Sequence, residues 1–167
     1  MLNVRIARVE DADAIVAIKQ EIVIMNDFLL RLPEEGQEME EEYRKKIQMR
    51  QEGGGLTLIA EFNDQVIGFL SFYRPSYMRL HHTGSFGISV KHEFSNKRVG
   101  TTLLSYLIEW AKEQEGLEKI NLDVFSNNKG AIHLYKKLGF KEEGRQINQI
   151  KLKDGSYADL ILMALFI

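Results

Sequence analysis

The chain has 167 residues, with 22 Lys and Arg against 24 Asp and Glu, a formal charge of −2 at pH 7. That balance lacks the concentrated basic face that nucleic acid or an anionic membrane surface requires. The absence of cysteine excludes disulfides, thiolate metal sites and a cysteine acyl-enzyme. His81, His82, His92 and His133 form no HxxxH pattern, so no metal is expected. Charges interrupt the first fifteen residues, where a leader peptide needs an apolar run, and the longest apolar stretch, Leu160 to Ile167, has eight residues. A membrane span needs about 20. One soluble, cytoplasmic domain over residues 1–167 is the expectation.

Asn3 to Arg8 alternates as a short strand. Asp11 or Asp13 then caps a helix whose Ile15, Val16, Ile18, Ile22 and Val23 recur at helical spacing. Pro33 breaks that pattern. A second helix, roughly Gln37 to Gln51, begins acidic and ends basic, as the helix dipole favours, and Gly53-Gly54-Gly55 stops it. Strands follow over Leu56 to Phe62 and Val66 to Tyr73, joined by a tight turn at Asn63-Asp64. Ser85 to Val90 is a further strand. Gly100 to Gln114 is the clearest helix, with Leu103, Leu104, Leu107, Ile108 and Ala111 on one stripe. Lys119 to Phe125 is a strand, and Asn128 to Leu138 a helix stopped by Gly139. Two closing strands, Phe140 to Leu152 and Tyr157 to Phe166, meet at Lys153-Asp154-Gly155, where the Asp-Gly pair predicts a primed turn. The order β-α-α-β-β-β-α-β-α-β-β defines an α/β (α+β) fold: a mixed, largely antiparallel central sheet with flanking helices.

Two stretches carry chemistry. In Ser89 to Leu104 a strand ends, a polar turn follows and a strong helix begins. The unpaired N–H groups of such a helix start hold phosphate oxygens. Gly100 admits a close ligand, and Lys91, Lys97 and Arg98 add positive charge; the alternative is a capped helix with a solvated basic turn. In Val124 to Phe140, Asn128 either caps the helix or hydrogen-bonds a ligand amide. Tyr135 lies seven residues on, two turns along the same face.

Together these stretches resemble the GNAT superfamily of acetyl-CoA-dependent N-acetyltransferases, over essentially the whole chain. RIARVEDADAI resembles the family's first strand and helix, and Leu103-Leu104 with IEWAK its cofactor-proximal helix. The string N-x-x-A-I-x-L-Y-x-K-L-G-F, Asn128 through Phe140, resembles its late cofactor and acid motif. The phosphate turn departs from the usual Q/R-x-x-G-x-G/A. Its positions are Ser95, Arg98 and Gly100, and only the last glycine is present.

The resemblance implies that the backbone of Ile88 and Val90 pairs with the pantetheine arm. It implies that the turn Ser95, Asn96, Lys97, Arg98, Val99, Gly100 and Thr101 holds the pyrophosphate, that Asn128 meets the amide arm, and that Tyr135 stands near the thioester sulfur. A neutral amine then attacks the acetyl carbonyl directly, and the Tyr135 phenol, with an ordinary pKa near 10, protonates the leaving thiolate as general acid. The strand before the turn holds no acid, so His81, His82, Asp123, Glu21 or a water chain are the candidate bases. Glu34, Glu35, Glu38, Glu40, Glu41 and Glu42 place six carboxylates within nine residues, either a solvated helix start or a rim that concentrates a cationic acceptor. The acceptor is a small-molecule amine, polyamine or peptide amine. The rival function is a catalytically idle acyl-CoA sensor of the same fold. The apolar closing strand reads as the domain's own core, with a homodimer seam as the alternative that family habit implies.

Overall fold

Strand β1 (Leu2–Ile6) opens the computed structural model, which describes residues 1–25 and 27–167. Among these residues the elements follow the expected order. After β1 come α1 (Ala12–Met25), α2 (Glu40–Glu52), β2 (Leu56–Phe62), β3 (Gln65–Tyr73), β4 (Thr83–Val90), α3 (Val99–Lys112), β5 (Lys119–Phe125), α4 (Lys129–Lys137), β6 (Lys141–Lys151) and β7 (Tyr157–Phe166). The strands form one sheet ordered β1-β2-β3-β4-β5-β7-β6, antiparallel throughout except between β4 and β5. No helix among the described residues is long and apolar enough to cross a membrane.

Both faces of the sheet are covered, which is why Leu56 to Ala60 is buried at every position. Leu58, Leu70 and Phe72 pack with Leu103, Leu104 and Leu107 of α3. Ile59 and Phe69 point the other way, onto Ile15, Ile18 and Ile22 of α1 and Tyr43 and Ile47 of α2. The closing strand β7 lies between β5 and β6 and sends Ile161 and Met163 into the first of these clusters.

The two hairpin turns differ from each other. Asn63 and Asp64 both take positive φ, 49° and 62°, as a two-residue primed turn requires. At the closing hairpin the expected primed turn is replaced. Gly155 donates to the Leu152 carbonyl at 3.0 Å and alone takes a positive φ, giving a three-residue loop in which glycine occupies the left-handed position.

Helix α2 starts three residues later than the charge pattern suggests, because Glu38 folds inward instead of joining the helix. It is only 8% exposed, and its carboxylate bonds the ammonium groups of Lys19 and Lys46. Burial alone would raise the Glu38 carboxyl, but the two lysines outweigh it and hold it below the usual carboxylate range. This ion cluster ties the connection between α1 and α2 to both helices.

Candidate active site

The site begins where β4 and β5 part. They pair in parallel only at Thr83↔Lys119, Gly84↔Ile120 and Ser85↔Asn121. Beyond that register β4 runs on to Val90 and β5 to Phe125, unpaired with one another. Phe86, the first residue past the last pair, packs against Tyr135 and Phe140, each ring centroid 5.8 Å away, and these two lie 6.0 Å apart. Three rings thus fill the fork. Above them opens a cleft of about 1120 Å³.

One wall of the cleft is the free edge of β4. The Lys91 N–H donates to Ile67 of β3 at 2.8 Å. Since backbone groups alternate between neighbours along an antiparallel strand, the polar groups of Ser89 also face β3, and those of Ile88 and Val90 face the cleft. An extended ligand bearing amides can pair with them as an added strand does.

The second wall is the start of α3. Its first N–H groups, on Val99, Gly100 and Thr101, have no partner within the helix, and no side chain caps it. The chain enters through Arg98 with φ 64° and ψ 8°, a left-handed conformation that strains a residue bearing Cβ. A glycine is the usual solution, which explains why the family turn has one there. Here Arg98 accepts the strain, and its exposed side chain lines the cleft with Ser95, Asn96 and Gly100. Lys97 departs from expectation. It is absent from the cleft lining, its ammonium sits 5.0 Å above the Phe94 ring, and its N–H donates to the Phe94 carbonyl.

The third wall is α4. Asn128 Oδ1 accepts from Ala131 N at 3.3 Å, so Asn128 caps the helix while lining the cleft. At the other end the Gly139 N–H donates to Lys136 and the Phe140 N–H to Tyr135, with Gly139 at φ 97°. These two bonds and the Phe140–Tyr135 ring contact are a Schellman stop, and they fix Tyr135 beside the fork. Tyr135 is 7% exposed and lines the cleft, and no described residue hydrogen-bonds its hydroxyl. Burial pushes the phenol up to about 12, with the charge of Asp123 adding to the effect.

The candidate bases separate cleanly. His81 and His82 precede β4 at the end remote from Val90, and His81 Nδ1 is engaged with the Pro75 carbonyl. Asp123 and Glu21 both line the cleft. None of the six clustered glutamates does: Glu38 is buried with the lysines, Glu40 and Glu41 pair with Arg44, and Glu35 and Glu42 accept from the backbone N–H groups of Leu32 and Met39. Sequence reasoning missed two contributors. Met25 at the end of α1, with Phe28 and Leu29 after it, lines one side of the cleft, and Lys129, His133 and Lys137 line it from α4. The latter three were legible as an i, i+4, i+8 series.

A cleft flanked by a split parallel pair and a free helix start delimits a class, and comparison with known proteins gives the same class. The sequence profile of the acetyltransferase (GNAT) family matches residues 23–140. L-amino acid N-acetyltransferase AaaT of Escherichia coli is 34% identical over 107 residues, spanning 64% of this chain and 65% of that protein. The crystal structure of a GNAT-family acetyltransferase from Streptococcus pneumoniae superposes with a TM-score of 0.94 at 28% identity over 100% of both chains. YncA of Salmonella typhimurium, solved with its cofactor acetyl-CoA, has a TM-score of 0.87 at 26% identity over 99% of this chain and 93% of that one. The chain belongs to the GNAT family and is an acetyltransferase by class.

Proposed function

We propose that the protein moves the acetyl group of acetyl-CoA directly onto a primary amine. The observation that carries this reading is a convergence in one cleft: an open strand edge, an uncapped helix start and a phenol without a hydrogen-bond partner among the described residues. Each suits a different part of the thioester substrate. The edge at Ile88 and Val90 matches the amides of the pantetheine arm. The turn from Ser95 to Thr101, Lys97 excepted, suits the diphosphate through backbone N–H groups and the Arg98 guanidinium. Asn128 has its amide nitrogen left to donate, since only its oxygen serves the cap.

The amine nitrogen attacks the thioester carbonyl carbon, a C–N bond forms, and the C–S bond breaks. The acceptor, entering as an ammonium, loses one proton before it attacks and a second as the C–N bond forms; one proton arrives at sulfur and the other is released to solvent. Asp123, Glu21 and Asp27 are the carboxylates that line the cleft; Asp27 pairs with Lys153, and Asp123 or Glu21 draws an ammonium in and takes its proton, directly or through water. Tyr135 donates to sulfur. Held near 12, its phenol stays protonated across the neutral range. Full transfer to a free thiolate, whose thiol has a pKa near 8.5, is uphill by roughly 4–5 kcal/mol. The phenol therefore donates while the C–S bond lengthens, before charge on sulfur is fully developed.

The test is release of free CoA thiol from acetyl-CoA across L-amino acids, polyamines and peptides. Turnover on at least one amine, with kcat reduced in Tyr135→Phe and the acceptor KM raised in Asp123→Asn, is the expected result. Tight CoA binding with no turnover on any amine refutes the enzyme and leaves a sensor.

A further inference from the structure

Helix α4 breaks an electrostatic rule at its first residue. A cation at a helix N-terminus opposes the macrodipole, yet Lys129 stands there, and the nine-residue helix has no acid at all. Lys129, His133 and Lys137 fall at i, i+4 and i+8, so they form one stripe about 12 Å long. All three are exposed, all three line the cleft, and no described carboxylate pairs with any of them.

The stripe is next to the helix start of α3 without being part of it. A Cβ built on Gly100 would meet Leu134 Cδ2 at 3.3 Å, so α4 packs directly on the first turn of α3. On the helical wheel His133 and Lys137 flank Leu134 on the side away from Tyr135. One side of α4 thus presents the phenol, and the other presents two lysines with a histidine between them beside the N–H groups of α3. The proposed diphosphate contacts use those N–H groups and Arg98 and leave the stripe unassigned. The stripe is a surplus of positive charge one step outward.

We propose that Lys129, His133 and Lys137 form a phosphomonoester subsite that reads the 3′-phosphate of the CoA ribose, making the enzyme selective for acetyl-CoA over acetyl-dephospho-CoA. The proposal rests on the cleft being the acetyl-CoA site. A ribose phosphomonoester is near-dianionic at neutral pH, so it rewards several cations where a diphosphate oxygen rewards one. The side chains are long and exposed, so each contact is modest and screened by salt.

The experiment compares KM for acetyl-CoA and acetyl-dephospho-CoA at low salt, in the wild type, in Lys129→Gln/Lys137→Gln, and in Lys112→Gln, at the far end of α3 and outside the cleft, as a control. The wild type is expected to prefer acetyl-CoA roughly tenfold, as three exposed contacts of about twofold each compound. The double variant should lose most of that ratio through a higher KM for acetyl-CoA alone, and the control should keep it. A wild type indifferent to the 3′-phosphate overturns the proposal and leaves the function intact. So does a double variant weakened equally toward both substrates, which would put the stripe on the diphosphate. If neither thioester binds, the function falls and takes this subsite with it.

Discussion

At Arg98 stability and ligand binding pull in opposite directions. The left-handed backbone there, φ 64° and ψ 8°, costs a residue with Cβ roughly 1–2 kcal/mol and glycine almost nothing. Arg98→Gly relieves that strain, while the freer unfolded chain returns about 0.5–1 kcal/mol of it. The Thr102 N–H and hydroxyl bond the Arg98 backbone carbonyl, so they survive the change, and the side chain caps nothing. The net is a gain of about 0.5–1 kcal/mol, or roughly 1–4 °C in Tm for a chain of this size. The cleft meanwhile loses a guanidinium. If that group meets a phosphate oxygen, CoA affinity falls roughly threefold to tenfold. Arg98→Ala keeps the strain and loses the charge, so it should bind as weakly as the glycine variant without melting higher. Scanning fluorimetry and titration calorimetry read the two quantities separately. A glycine variant that melts below wild type refutes the strain argument, and one that binds CoA unchanged removes the side chain from phosphate recognition.

Tyr135→Phe should lower kcat by about two orders of magnitude with both KM values held. It should leave Tm unchanged, since the hydroxyl it removes has no described partner. The same phenol links stability to alkaline pH. Its folded pKa of about 12 exceeds the unfolded value near 10, so stability is intact below pH 10 and falls by about 2–3 kcal/mol as pH rises through 12. Urea midpoints in that window should drop less in Tyr135→Phe than in wild type; equal drops would mean the phenol is not buried as described. Glu38→Gln leaves Lys19 and Lys46 facing each other and should cost about 2–3 kcal/mol by urea unfolding at neutral pH. Because the folded carboxyl is held low, its contribution is present above the unfolded pKa near 4.3 and fades as pH falls through the folded value. The variant's midpoint should therefore change less in acid than wild type's, and parallel curves would deny the ion cluster its role.

What was legible in the sequence was what short-range rules decide. The run Tyr135 to Phe140 states its own geometry: glycine at the left-handed position, an aromatic after it, and a second aromatic one turn back to meet it. The same holds for the stripe of α3 and the primed turn at Asn63-Asp64. What was not legible depends on partners distant in the chain. Glu38 sits in a run of acids that reads as solvated, and only the approach of Lys19 and Lys46 turns it inward. Lys97 belongs to the right loop, but a left-handed residue on each side, Asn96 at 61° and Arg98 at 64°, accompanies its turn toward Phe94. The fork is the least local of all. It arises because Phe86 meets two rings from a segment some fifty residues downstream.

That fork also accounts for the open edge on which the proposed chemistry depends. A parallel pair that continued to Val90 and Phe125 would satisfy its own backbone groups and leave no free edge to a ligand. By stopping the register at Ser85↔Asn121, the aromatic wedge opens the β4 edge, and Tyr135, itself one of the wedge rings, is set at the bottom of the opening. One of the three rings that fill the fork thus also lines the cleft above it. The burial that serves packing also raises its pKa and keeps the phenol protonated. Packing and the proposed acid role would both follow from one ring in one position, and this is why Tyr135→Phe, which keeps the ring and removes only the hydroxyl, tests the second without disturbing the first.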